Sequence, residues 1–539
     1  MIWFVRDFDL LSVLLRALSF ALEALALGGV FFLLFIAGPS SLPHVARRRL
    51  RRAASIFALA LAVVQILVIA TTSTVLMGNS GLGIGDLFSA SYFISGIVFA
   101  AAALALFFLL RLSSSLSFAV VAAVVALGAS VSLSHAAARM DHRPALLLFT
   151  AAHHLGMAAW LGALPFLLLA LRANPAPAIA RRMASCFSSM AIISVLVLIL
   201  AGAGLSWFYV GSWQGLYGTS YGILLSAKVA LTLLILVLGF GNYRLVRAVH
   251  ADPVPLLVRL RRFSEAELGL GFTVILAAAS LTAQSPAVDE MPQSTLTRHD
   301  VVKRIEWHLP SFHTPALAQL APPTPLGVAV REATYTGGSA SDANDRAWSE
   351  YNHHWAGLIV LLAGVLALIS RMPRQRWASY WPLLFLGLAV FILLRADPEC
   401  WPLGPRPFWP SFTAPDVLEH RAFALLIAAF AFFEWGAETG RLPWRRARFI
   451  FPLLCAAGGA LLLTHTHALG EGKDEVFAEL SHTPIAILGA ATGWGRWLEL
   501  RLENTAELES PSRIHRVAAW LWPVCLMLIG MLLLDYRES

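Results

Sequence analysis

RRRLRRAASIFALALAVVQILVIATTSTVLM, residues 47–77, decides the class of this chain. Arg47, Arg48, Arg49, Arg51 and Arg52 are followed by an apolar run that closes at Met77. About 20 such residues suffice to cross a bilayer as a helix. Basic side chains resist translocation, so the arginines stay inside and the run carries the chain outward.

Working outward from that run, apolar stretches of about 18 to 27 residues recur along all 539 positions. The composition agrees: 58% of residues are apolar, 13% are charged, and the mean hydropathy is +0.70. Those values lie outside the soluble range. The predicted fold is an all-α polytopic membrane protein of about fourteen spans, centred near residues 24, 65, 100, 125, 158, 196, 234, 275, 361, 386, 427, 456, 488 and 525. Strict alternation then collects Arg172, Arg181 and Arg182, the arginines of 244–262, Arg371, Arg374 and Arg376, those of 441–448, and those of 496–516 on the inner side. Roughly 25 of the 40 basic residues fall inside, and both termini are expected to be periplasmic. The sequence pI of 9.6 is therefore a topology signal and carries no nucleic-acid inference. The first run is expected to be retained as a span, because its basic cluster follows it instead of preceding it.

The composition changes once. Residues 285–352 are rich in Pro, Ser, Thr and Asp, hold no span-length run, and include the flexible stretch Gly337-Gly338-Ser339-Ala340-Ser341. They divide an eight-span domain, 1–284, from a six-span domain, 353–539, and on this topology form a periplasmic connecting segment. No internal repeat is visible. Cys186, Cys400, Cys455 and Cys525 are scattered with no CxxC, which excludes a disulfide framework and leaves metal chemistry to His, Met or carboxylate.

On this topology every histidine except His44, His250 and His515 lies on the outer side. His135 and His142 sit in the loop after the fourth span, and His153 and His154 in the first turns of the fifth. His299, His308 and His313 fall in the connecting segment, and His353 and His354 open the ninth span. His420 opens the eleventh, His465 and His467 close the twelfth, and His482 opens the thirteenth. Imidazole at membrane depth is costly unless paired or ligating, so such residues default to function. Met157 shares a helical face with His153 or His154, being four and three positions on. Imidazole with thioether favours copper over zinc. The ordinary alternatives are a hydrogen-bonded boundary residue for each lone histidine and simple packing for Met157. Rings at 153 and 154 diverge by about 100°, and those at 465 and 467 by about 200° unless the helix ends there.

Buried charge adds little by itself. Arg16 and Glu23 share a face and either pair or contact neighbouring spans; Lys228 either snorkels or meets a site anion; Glu434 reads as structural. Trp207, Trp213, Tyr217 and Tyr221 read as an interfacial belt.

The stretch His153-His154-Leu155-Gly156-Met157-Ala158-Ala159-Trp160-Leu161-Gly162-Ala163-Leu164 resembles the signature of CopD-type copper-resistance inner-membrane proteins. Ser226-Ala227-Lys228-Val229-Ala230-Leu231 and Gly241-Asn242-Tyr243-Arg244 are similar to two further elements of that family. The last six spans, with Thr464-His465-Thr466-His467-Ala468-Leu469 and His482-Thr483-Pro484, resemble the extension of its longer members. The resemblance implies copper handling, with import from a separate periplasmic CopC-type carrier, at a bacterial inner membrane. The expected ligands for the copper ion are His153, His154 and Met157, helped by His135 and His142. A second outer cluster would use His465, His467 and His482 with His353, His354 or His420. Two other readings stay open: a b-type haem electron-transfer protein, with His420 ligating opposite His467 or His482, and an assembly factor that docks a metallochaperone. No CxxCH is present, which excludes covalent haem. The inner half of the spans offers only Met183, Cys186, Met190, Cys455 and Cys525 as relay ligands. Phosphate loops, nucleophile elbows and HExxH are absent, so enzymatic chemistry gains no support.

Overall fold

The computed structural model describes residues 8–40, 42–80, 83–113, 115–173, 175–248, 253–315, 340–398, 400–413, 415–442, 444, 446–464, 473–503 and 513–537. His465 and His467 lie outside them. Among the described residues all extended regular structure is helical, as a chain immersed in hydrocarbon requires if its backbone groups are to be satisfied within each segment. Eleven helices are long and apolar enough to cross a membrane. The three other expected spans coincide with two shorter apolar helices, Ser117–Ser132 and Ala447–Leu462, and with Lys473–Glu503, whose buried Glu479, Arg496 and Glu499 set it apart from a plain apolar run.

The described residues group into two compact units: those of Met1–Thr295 and Leu463–Gly472 form the first, and those of Leu296–Leu462 and Lys473–Ser539 the second. The first is built on α1 (Phe8–Phe32), α2 (His44–Ser80), α3 (Ser91–Leu112), α4 (Ser117–Ser132), α5 (Arg143–Met157), α6 (Leu164–Arg172), α7 (Pro177–Val210), α8 (Ser220–Ala248) and α9 (Pro253–Leu281). Its centre is formed by α1, the α5–α6 pair and α9, whose apolar windows are 78%, 72% and 72% buried. By contrast, those of α7 and α8 are 17% and 28% buried, leaving their Leu, Ile and Val faces for lipid.

Two local features set the geometry of the centre. Pro165, in the first turn of α6, has no N–H for the Leu161 carbonyl, and between α5 and α6 the ladder widens into a single π turn, Ala158–Gly162. That turn packs backbone to backbone on α1. A Cβ at Gly162 would overlap the Ala24 carbonyl, and one at Gly28 would overlap the carbonyl carbon of Gly162. Gly162→Ala is therefore expected to lower stability by about 1–3 kcal/mol, as overpacking does. Thermal unfolding in detergent checks this against Gly128→Ala, where a methyl group meets nothing within 4 Å. Equal midpoints for the two variants would refute the close approach.

The second unit comprises α10 (Arg298–Ile305), α11 (Ala340–Ile369), α12 (Leu384–Arg395), α13 (Pro415–Glu438), α14 (Ile450–Leu462), α15 (Lys473–Glu503) and α16 (Arg513–Leu534). Thr297 and Asp300 cap α10 reciprocally, and the Thr297 N–H and hydroxyl, with Lys473, hold the Asp300 carboxyl below its usual range. The core is aromatic: Trp381 lies 5.5 Å from Trp522 and 5.6 Å from Phe451, ring centre to ring centre. At one end of that core sits a buried ionic network. Arg496 meets Glu434 at 2.7 Å, Glu438 at 2.6 Å and Glu499 at 2.6 Å, while Arg371 meets Glu438 at 3.1 Å and Glu499 at 2.7 Å. Both guanidinium groups lie over Trp522, whose indole N–H donates to Glu499.

Candidate functional site

Inside the first unit, bounded by α1 to α5 and α7 to α9, lies a cavity of about 520 Å³. His153, His154 and Met157 of α5 all line it. Residues 153 and 154 point about 100° apart, yet both reach the cavity because with Thr150 and Met157 they form one i, i+3, i+4, i+7 stripe along α5. His154 faces α1 and α4, whereas His153 faces α8.

On the His154 side the imidazole is held by a buried carboxylate. Glu23 Oε1 lies 3.2 Å from His154 Nδ1, and the Ser130 hydroxyl donates to Glu23 Oε2 at 2.7 Å. Glu23 is 1% exposed. With Glu23 as an acceptor, Nδ1 carries the proton and the Nε2 lone pair is left available. This carboxylate–imidazole pairing fixes tautomer and ring orientation in metal sites and raises the basicity of the ligating nitrogen. Phe20 packs edge-on against the same ring at 5.7 Å.

The His153 side differs. Lys228 Nζ approaches His153 Nε2 to 3.5 Å, so a basic side chain already occupies that nitrogen. Arg16 also lines the cavity and donates to the Thr282 carbonyl at 2.7 Å, rather than pairing with Glu23. His135 lines it too and contacts the same carbonyl through Nε2 at 2.8 Å. His142, by contrast, is the left-handed N-cap of α5, stacks on Phe208 at 5.0 Å, and does not line the cavity.

The described histidines of the expected second cluster separate into two places. His353 stacks on Tyr536 at 3.8 Å, and the His482 ring lies 5.9 Å from the same tyrosine. His354 is engaged at both nitrogens, Nδ1 with the Ser311 backbone at 2.8 Å and Nε2 with the Tyr536 carbonyl at 2.9 Å. Those bonds make His354 a strut that ties α11 to the 311 loop and the end of α16. His420 stands apart, paired with Asp397 at 2.8 Å. Nδ1 of His482 and Nδ1 of His353 lie 2.8 Å from the carbonyls four residues back, Ala478 and Ser349.

Sequence reasoning named His153, His154 and Met157 but missed the residues that orient them. Ser130 carried no signal, being a small polar residue in an apolar helix. Glu23 was visible as a buried charge, but its partner sits 131 positions away. Among the described residues no group of three or more His, Cys, Asp or Glu side chains is placed to hold a metal ion. The cavity instead offers two imidazoles and a thioether, a low-coordination set that suits soft Cu(I) better than four-coordinate zinc.

The helices define a multi-pass membrane protein, and its first unit holds a cavity lined by His153, His154 and Met157. Residues 181–281 match the family model described as copper resistance protein D. Ser226–Leu231 and Gly241–Arg244 fall within that match, and His153–Leu164 precedes it. Over 301 residues the chain is 28% identical to the copper transport protein CutJ of Bacillus subtilis (strain 168), covering 52% of this chain and 53% of that protein. The chain thus spans about half the length of the curated relative it matches. No solved structure matches it.

Proposed function

We propose that this chain binds copper in the 520 Å³ cavity and passes it across a bacterial inner membrane. The observation that carries the reading is His154, held by Glu23 at Nδ1 and lining a cavity that His153 and Met157 also line. The CopD match and the likeness to a copper transport protein support copper as the substrate. His153 and His154 supply imidazole nitrogen, Met157 supplies thioether sulfur, and His135 stands by the Thr282 carbonyl as an approach ligand. An arriving ion takes the place of the Lys228 ammonium at His153 Nε2. Like charges then push the lysine aside, which opposes over-tight binding.

The topology that goes with this reading has fourteen crossings, a periplasmic His-lined cavity and both termini periplasmic, with 285–352 as the connecting segment between domains 1–284 and 353–539. A separate CopC-type carrier would deliver the metal. The second cluster, with His353, His354, His420, His465, His467 and His482, belongs to the C-terminal domain; His354 is assigned a structural part in it.

Metal content with an optical spectrum of the detergent-purified protein tests the reading. About one copper per chain, removed by a Cu(I) chelator, with no Soret band is the expected result. A Soret band without copper would replace it with the haem reading, in which His420 is paired with His482 or His467.

A further inference from the structure

A second cavity of about 320 Å³ adjoins the first along the same helices. Trp160, on the π turn after Met157, lines both. Val195 and Leu198 on α7, and Ile235 and Leu236 on α8, face one cavity each. The Trp160 indole is the partition between them.

The polar head of this second cavity is Glu267. It is 3% exposed, accepts the Trp160 indole N–H at 2.9 Å through Oε1, and accepts the Asn242 amide at 2.7 Å through Oε2. Neither donor is charged, and among the described residues no Lys, Arg or His pairs with this carboxylate. Asn242 is 8% exposed, and its Oδ1 has no partner. Ser264 and Ser188 add hydroxyl oxygens to the same lining. An ionised carboxylate at this depth is costly unless a proton or a cation neutralises it. The donors are all oxygen, the opposite of the imidazole and thioether set in the neighbouring cavity. Oxygen sets suit hard cations and serve Cu(I) poorly.

We infer that Glu267 and Asn242 head a binding site for a hard monovalent cation, a proton or a sodium ion, whose occupancy is coupled through Trp160 to copper passage. The coupling rests on the transport reading above; the cation site does not. Around Glu267, α8 contributes Tyr243, and the lining residues of the π turn, α6, α7 and α9 add no other titratable or charged group.

The first test needs no copper. Thermal unfolding of the detergent-purified chain is followed in sodium chloride against choline chloride, and across pH, for wild type, Glu267→Gln and Asn242→Asp. A ligand that binds only the folded state raises its melting midpoint. If the ion is sodium, the wild type melts several degrees higher in sodium, Glu267→Gln loses that shift and Asn242→Asp enlarges it. If it is a proton, the folded chain holds the proton that the unfolded chain releases. Stability is then present at low pH and lost as pH rises, and Glu267→Gln flattens the profile. Identical responses of wild type and Glu267→Gln to both variables would overturn the site.

The second test measures copper uptake into proteoliposomes under a gradient of whichever ion passed the first. Wild-type uptake is expected to rise about tenfold or more, with no rise for Glu267→Gln although its copper content is unchanged. Uptake indifferent to the gradient overturns the coupling and leaves transport intact. Absence of uptake in every condition overturns the transport reading, and the coupling with it, while the melting data still decide the cation site.

Discussion

The His153→Ala/His154→Ala double variant is expected to lose its bound copper, from about one per chain to background, while keeping its elution profile and helicity. Both rings line a cavity, so truncating them enlarges existing space instead of opening a void in close-packed core. Glu23→Gln should fall between this and wild type. The amide still accepts from His154 Nδ1, but the negative charge that raises the basicity of Nε2 is gone. Loss of such an orienting partner weakens metal binding by roughly 10–100-fold. Lys228→Met should act in the opposite direction, because it removes the cation that stands 3.5 Å from His153 Nε2. Chelator competition on the purified variants measures all three. Full copper retention by the double variant would move the site elsewhere in the chain, and a Glu23→Gln affinity equal to wild type would make the Glu23–His154 pair purely structural.

Arg496→Ala is expected to destabilise the second unit by about 3–5 kcal/mol, the cost of stranding buried charge. Arg496 is 4% exposed and meets Glu434, Glu438 and Glu499, of which Glu434 is 0% exposed. With Arg496 gone, Arg371 alone faces three carboxylates, and Glu434 loses its direct cationic partner. Glu434→Gln should be much milder. It leaves Arg371 and Arg496 opposite Glu438 and Glu499, a balanced set. Unfolding midpoints of the two variants decide the point. Similar losses would mean that the network is relieved by water and does not depend on charge balance.

The positions of the helices were legible in the sequence because hydrocarbon leaves the backbone no alternative. Each of the fourteen expected centres falls inside a described helix, although only eleven of those helices are long and apolar enough to span by themselves. Apolar run length is a local property, and a linear reading captures it. Lys473–Glu503 shows where that reading thins: its charges are tolerated because Arg496 finds carboxylates on α13, a fact that hydropathy cannot register.

The candidate site was legible only as residue types. His153, His154 and Met157 stood out by chemistry and spacing, and were expected together although neighbouring rings diverge by about 100°. In the tertiary structure all three line one cavity, because with Thr150 they form a single i, i+3, i+4, i+7 stripe of α5. Glu23 with Ser130, and Trp160 with Glu267 and Asn242, are joined across more than 80 positions in most pairs and by side-chain direction, which no periodicity encodes. What the sequence determined by itself was which segments are helical and which donor atoms the chain owns, since both follow from local chemistry. Which donors share a cavity, and which charge each one faces, was decided by how α1, α5, α8 and α9 pack, through glycine contacts and one π turn that rotates Trp160 onto Glu267.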